Sequence, residues 1–179
     1  MSAFTVGSKN SGSGVSSKTL WYRIPDGVSK LIPLQSIDNE VVGYKKHSTW
    51  GPGKQIHHIC IGEENGCPGC KAGIPVTQKY CLVVMTDDDP TPRLFEFGVT
   101  IFKQLLAAER AEPENFIGRV FVIERTGKGK STRYTINGTM KVLSSLPDPS
   151  TFPDVRKVLT TDKKKLEELY DTEVEDALD

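Results

Sequence analysis

Three cysteines crowd into eleven residues of a 179-residue chain, and no other feature constrains its fold as much. The run is His57-His58-Ile59-Cys60, six residues, then Cys67-Pro68-Gly69-Cys70, with His47 upstream. A Cys-x-x-Cys turn brings two thiolates onto one metal ion, and a third Cys with a His completes the tetrahedral set that zinc favours. Pro-Gly between the paired cysteines makes a compact knuckle, its glycine removing steric conflict. Residues 46–73 show neither helical nor strand periodicity and hold too little apolar surface to fold by burial, the situation in which a structural metal is expected.

Cys60, Cys67 and Cys70 leave one ligand position, for which His47, His57, His58 and Cys81 compete. Cys81 sits in the apolar run 79–85 and reads as core, where free cysteine is common. His57 and His58 lie so close to Cys60 that either chelate is strained. His47, thirteen residues from Cys60, can close a long loop onto the knuckle. It is favoured, with His58 the alternative. Four protein donors make the metal structural, since a catalytic zinc keeps an open position. A thioredoxin-like redox pair needs a strand leading in and a helix starting at the motif, whereas Glu63-Glu64-Asn65-Gly66 and Lys71-Ala72-Gly73 read as loop.

The balance of 23 basic and 23 acidic residues hides an asymmetry. Residues 167–179 hold seven of the acids and no Lys or Arg, so residues 1–166 carry 23 bases against 16 acids. A basic body with an acidic tip suits a nucleic-acid binder. No apolar run approaches the ~20 residues of a membrane helix. The start, rich in Ser and Gly, has no apolar stretch of the kind a secretory signal needs. Clustered cysteines without an export signal point to a reducing compartment and a cytoplasmic protein.

Residues 1–17 read as a flexible arm, 18–146 as one core domain with a zinc module at about 46–73, and 147–179 as a Pro-rich linker, short helix and acidic tail. Strands are expected at 20–24, 30–34, 41–44, 79–85, 93–97 and 115–125, with a turn at Pro25-Asp26-Gly27. Thr100 is expected to cap a helix over 101–111. Asn137-Gly138 predicts a tight hairpin turn between strands 133–136 and 139–142. A last helix is expected from about 153 to 170. About six strands, one central helix and an inserted metal loop point to a mainly β protein, a small Greek-key barrel of the oligonucleotide-binding (OB) type.

Single-strand binders line a cationic groove with aromatic faces, each stacked base contributing ~1–3 kcal/mol. Here aromatics and cations interleave at Tyr22-Arg23, Tyr44-Lys45-Lys46, Trp50 with Lys54, Lys79-Tyr80 and Arg133-Tyr134. Arg125, Lys128 and Lys130 add a basic turn. Phe95, Phe97, Phe102, Phe116 and Phe121 read as core. No catalytic constellation is present: Asp87-Asp88-Asp89 reads as a solvated turn, and Gly127–Thr132 lacks the upstream glycine and following helix of a phosphate-binding loop.

The order of these features resembles that of the zinc-containing single-stranded-DNA-binding proteins of tailed phages. The resemblance spans residues 20–143. It rests on the Asp26-Gly27 turn before an apolar strand, on His47-(x12)-Cys60-(x6)-Cys67-x-x-Cys70, and on the strand 80–85. The helix near Phe102–Leu106 and Arg125-Thr126-Gly127-x-Gly129-x-x-Thr132-x-Tyr134 follow in the same order. It implies an OB fold with an inserted zinc module and sequence-tolerant binding of single-stranded DNA in phage or mobile-element replication and recombination. It further implies a host-cell cytoplasmic location, self-association through the arm, and an acidic tail that recruits replication or recombination proteins. By the same likeness His47, Cys60, Cys67 and Cys70 are the zinc ligands. A cleft between barrel and zinc module would take Tyr44, Lys45, Lys46, Trp50, Lys79, Tyr80 and residues 125–134. The expected function is non-enzymatic DNA binding. The alternative is a zinc-stabilised adaptor of a phage or transposition complex whose basic surface meets protein.

Overall fold

The apolar run that ends at Met85 forms the middle of the molecule. The computed structural model describes residues 20–51 and 54–160, with backbone alone at 50, 51, 54–56 and 130. The expected arm (1–17), most of the expected last helix and the acidic tail (167–179) lie outside the described residues.

The elements run β1 (Trp21–Tyr22), β2 (Gly27–Pro33), β3 (Val42–Gly51), β4 (Lys54–Ile59), the helical turn α1 (Pro68–Lys71), β5 (Val76–Met85), β6 (Arg93–Gly98), helix α2 (Val99–Ala111), β7 (Arg119–Thr126), β8 (Arg133–Val142) and the short helix α3 (Val155–Leu159). The protein is mainly β. Its mixed sheet has the order β1-β6-β5-β2-β7-β8, and β3 pairs with both β5 and β4. Only β1 and β6 run parallel among the described pairs. β2 joins the two halves: Gly27 to Leu31 pair with β7, and Ile32 and Pro33 pair with β5.

Residues alternate faces along a strand, and β5 buries both. Leu82 and Val84 enter a core with Leu31, Phe95, Phe97, Phe116, Phe121 and two inward residues of α2, Ile101 and Leu105. Cys81, Val83 and Met85 face a second cluster with Ile32, Leu94, Val120 and, from α3, Val155. Both faces being covered explains why this run reads as continuously apolar instead of alternating. The core assignments of Cys81, Phe95, Phe97, Phe116 and Phe121 agree with their burial, and Phe102 packs against the first core.

Three local expectations differ from the structure. Residues 133–142 form one strand with no turn at Asn137-Gly138, because β7 offers a ladder partner from Arg133 through Gly138, a bulge preceding only the last pair, Arg119↔Val142. Asn137 lies opposite Val122 and Gly138 opposite Phe121. Gly138 serves close packing: a Cβ there would stand 2.9 Å from Arg119 Nε. The helix starts one residue before the expected cap. Gly98 takes the N-cap position without a side-chain bond, and Thr100 falls in the first turn. Finally, the segment 46–73 contains real strand. β3 runs on to Gly51 and pairs with β4 from Lys46↔Ile59 to Gly51↔Lys54. Its buried alternate residue is a histidine, so hydrophobic periodicity is blind to it.

Helix α2 closes the side of the sheet next to β8. The Gln104 amide donates to the Tyr134 carbonyl at 3.2 Å, and its oxygen accepts from the Ile136 amide at 3.1 Å. A side chain thereby stands where a neighbouring strand would bond. The acidic loop before β6 is ion-paired rather than merely solvated, with Asp87 between Lys30 and Lys141.

Candidate metal centre and adjoining cleft

Strand alternation sorts the histidines. His47 on β3 is directly opposite His58 on β4, and Ser48 opposite His57, so the two adjacent histidines of β4 face opposite ways. His47 and His58 turn toward the knuckle, their rings stacked with centroids 4.8 Å apart. His57 turns away, its Nδ1 2.8 Å from the Ser48 hydroxyl.

Beyond β4 a tight turn of 3₁₀ form at Glu63–Asn65 leads to Cys67, which caps α1 with Pro68 at its first position. The helical turn carries Cys70 back toward Cys67, and the Cys60 amide donates to Lys45 O at 2.9 Å, pinning the third cysteine beside β3. One ligand atom from each of His47, Cys60, Cys67 and Cys70 then lies within 4.8 Å of the others, close enough to hold one metal ion. His47 Nε2 is 3.5 Å from both Cys67 Sγ and Cys70 Sγ, and Cys60 Sγ is 3.5 Å from Cys70 Sγ. A tetrahedron with bonds of about 2.0–2.3 Å has edges of roughly 3.3–3.8 Å, so the residues present fit the ion.

The surroundings match a ligand role. His47 Nδ1 lies 2.8 Å from the Ile74 carbonyl. A proton on Nδ1 donated there leaves the Nε2 lone pair for a metal, the usual outer bond of a ligating imidazole. Burial opposes ionisation of Cys67, but the amides of Cys70, Ile61 and Gly69 and the Cys70 thiol draw its pKa below the ordinary thiol value. Cys70 is pushed up to about 12, first by its bond with Cys60, then by burial and Cys67. Three crowded thiols resist carrying three negative charges; a divalent cation reverses that by supplying the opposite charge.

His58, the alternative ligand, stands just outside this set, its Nε2 3.8 Å from Cys67 Sγ. Burial and the neighbouring His47 push its imidazole down to about 4. Gly69 is what lets the rings approach: a Cβ there would come within 2.8 Å of both His47 and His58. Gly69→Ala should therefore lower metal affinity by roughly 10- to 100-fold, the range for a lost supporting contact. Competition with a chromogenic chelator measures it, and an unchanged affinity would show that the knuckle has room to spare.

The other face of the same hairpin looks into a cleft of about 1030 Å³. Five cations line it, Arg23, Lys46, Lys79, Arg125 and Arg133, together with Tyr22 and Tyr134 and one acid, Glu96. The cleft follows β6 beyond its last pairing with β1 at Phe95, so Glu96, Phe97 and Gly98 form an unpaired sheet edge. Lys46 is committed to Glu96 at 2.9 Å and Arg125 to Asp26 at 3.1 Å. Arg23, Lys79 and Arg133 have no ion-pair partner among the described residues.

Seven of the fourteen residues singled out as nucleic-acid contacts thus meet in one place. Others do not. Tyr80 lies flat against Phe102, centroids 4.0 Å apart, and packs into the first core. Tyr44 packs against the second core and donates its hydroxyl to Glu96. Tyr22, although on the cleft wall, is buried edge-on against Phe95. These three tyrosines spend their rings on the protein's own packing; Tyr134 and Trp21, also on the cleft wall, are half-buried and pack in part against the first and second cores. Lys45 is exposed two residues before His47, on the same side of β3, and Lys128 sits in the exposed turn after β7; neither lines the cleft. The side chains of Trp50, Lys54 and Lys130 fall outside the described residues.

Comparison of the chain with protein-family models and with curated proteins gives no match. Ser48 and Glu96 are lining residues that sequence reasoning passed over, and His57, weighed there as a metal ligand, lines the cleft as well. For Glu96 a signal existed: it is the one acid in the strand Leu94-Phe95-Glu96-Phe97, a position that must either face water or serve a site.

Proposed function

We propose that this protein binds single-stranded DNA without strong sequence preference, as a binding protein with no chemical step, and that a structural zinc holds one wall of its cleft. The observation that carries this is the cleft itself. Segments distant in sequence, at 21–24, 46–48, 79 and 125–135, bring five cations to the open sheet edge at 95–101. A cationic groove with scattered aromatics is the common design of proteins that track a phosphate backbone. Replication or recombination of a phage or mobile element is the setting in which such an activity belongs.

The connectivity supports an OB-type barrel. β2, β5, β6, β7 and β8 would be its five strands, with α2 between the third and fourth and the β3–β4 hairpin and knuckle inserted between the first and second. OB folds bind oligonucleotides across strands two and three, between the loop joining strands one and two and the loop joining four and five. The cleft has Lys79 and the β6 edge as its floor, the metal-bearing hairpin on one side and the start of β8 on the other. Three thiolates and an imidazole form the borderline-soft donor set that favours zinc.

Titration with oligo-dT, followed by tryptophan fluorescence and by anisotropy of a labelled strand, tests the proposal. Affinity should fall with salt at a log–log slope of about −0.7 per displaced counterion, or about −3.5 if all five cations meet phosphate. Equal affinity for duplex and single strand would refute it.

A further inference from the structure

Glu96 is the odd member of the cleft. A phosphate-binding groove loses affinity from every carboxylate it holds, yet this one is maintained by dedicated partners. Tyr44 donates its hydroxyl to Oε2, and Lys46 Nζ reaches Oε1 at 3.0 Å and Oε2 at 2.9 Å. The group is half-buried, with its side chain 26% exposed. Burial alone would favour the neutral acid, but the Tyr44 and Lys46 bonds and the Lys79 charge hold it below the ordinary carboxylate range, so it is ionised at neutral pH.

An ionised carboxylate offers about four acceptor positions. Tyr44 and Lys46 use three, and one on Oε1 has no partner among the described residues. Phosphates approach the unpaired cations Arg23, Lys79 and Arg133 and are repelled by Glu96. A strand lying in the cleft lowers its energy by turning a base, not its backbone, toward this position. The donors a pyrimidine edge presents to a carboxylate are the exocyclic amine of cytosine, as when Asp or Glu accepts from cytosine N4, and the ring N3–H of uracil or thymine, which stands between two carbonyls.

Resting on the single-strand reading above, we infer that Glu96 reads one base of the bound strand, selecting a pyrimidine with an amine at C4, cytosine, over one with a carbonyl there, uracil or thymine. Uracil or thymine can offer only its N3–H, and the carbonyl oxygens on either side of it then face the carboxylate, acceptor against acceptor, so the contact is weaker than the one cytosine N4 makes. Binding remains tolerant of sequence elsewhere in the site, because the unpaired cations touch only phosphate. Glu96 is thereby a specificity-determining residue inside a nonspecific groove.

Oligo-dC and oligo-dU of equal length test this, since their bases differ only at the edge that Glu96 would read. Anisotropy titrations at neutral pH should give the wild type about tenfold tighter binding to oligo-dC, the low end for one base contact. Glu96→Gln, whose amide can both donate and accept, should bind both strands more tightly and bring their affinities together. Lys46→Gln removes a cation but not the reader; it should weaken both and keep the preference, which also guards against a misfolded Glu96 variant. Equal wild-type affinities would overturn the inference while leaving single-strand binding intact. So would a preference that survives Glu96→Gln, or a Glu96→Gln change equal for both strands, which would mean that Glu96 merely holds Lys46. Salt-insensitive or absent binding to either strand would remove the single-strand reading and this inference with it.

Discussion

Stripping the proposed zinc with a chelator, or replacing Cys67 and Cys70 together by serine, should open residues 46–73 to protease and leave the main sheet standing. The described residues of that segment bury only His47, His58, Cys67 and Gly69. No aliphatic or aromatic side chain among them is buried, so the hydrophobic effect contributes little to their order. Metal binding of this class supplies an apparent ~10–16 kcal/mol in small zinc-folded peptides, far more than the hairpin ladder can. The two apolar clusters draw on residues on either side of the segment and on none within it. Calorimetry should show the main transition lowered only modestly, and limited proteolysis should show new cuts between 46 and 73. An unchanged cleavage pattern after verified metal loss would mean that packing, not coordination, orders the segment.

The second large effect is electrostatic. Arg23→Glu combined with Arg133→Glu should weaken binding to oligo-dT on the order of 100-fold at low salt and reduce the steepness of the salt dependence by about 1.4. Both side chains are exposed and neither enters an ion pair among the described residues, so the fold has no stake in them. Melting temperature and circular dichroism should stay at wild-type values. Lys45→Glu with Lys128→Glu, equal in charge change but away from the cleft, should have a much smaller effect. If the two double variants weaken binding equally, net charge and not the cleft governs affinity.

The chemistry of the metal centre was legible in the chain, because ligand type and spacing are local properties. Cys67-Pro68-Gly69-Cys70 can adopt few shapes, and a third thiol at Cys60 and a histidine at a permissive distance follow from counting residues. The β-rich character was legible for the same reason: 79–85 and 93–97 carry enough β-branched and aromatic residues to declare themselves. What failed were signals whose meaning depends on a partner. Asn137-Gly138 is a strong local turn, yet the ladder to β7 and the contact with Arg119 outweigh it. His47 lies in a strand that no hydrophobic pattern reveals, since its buried face is occupied by imidazoles. Tyr44 and Tyr80, each beside a lysine in sequence, look like stacking platforms, but strand alternation sends Lys and Tyr to opposite faces and packs the rings inward.

By itself, then, the sequence determined the kind of site and the material of the fold: a knuckle with three thiols, a histidine close enough to join it, and a set of apolar strands with one helix. Tertiary structure decided which face each residue serves. Pairing of β3 with β4 separates His58 from His57, giving one to the metal side and the other to the cleft. The unpaired edge of β6 collects five cations from four distant segments and places a single carboxylate among them. Those outcomes depend on which strands meet and in what register, and a shift of one residue would exchange the two faces.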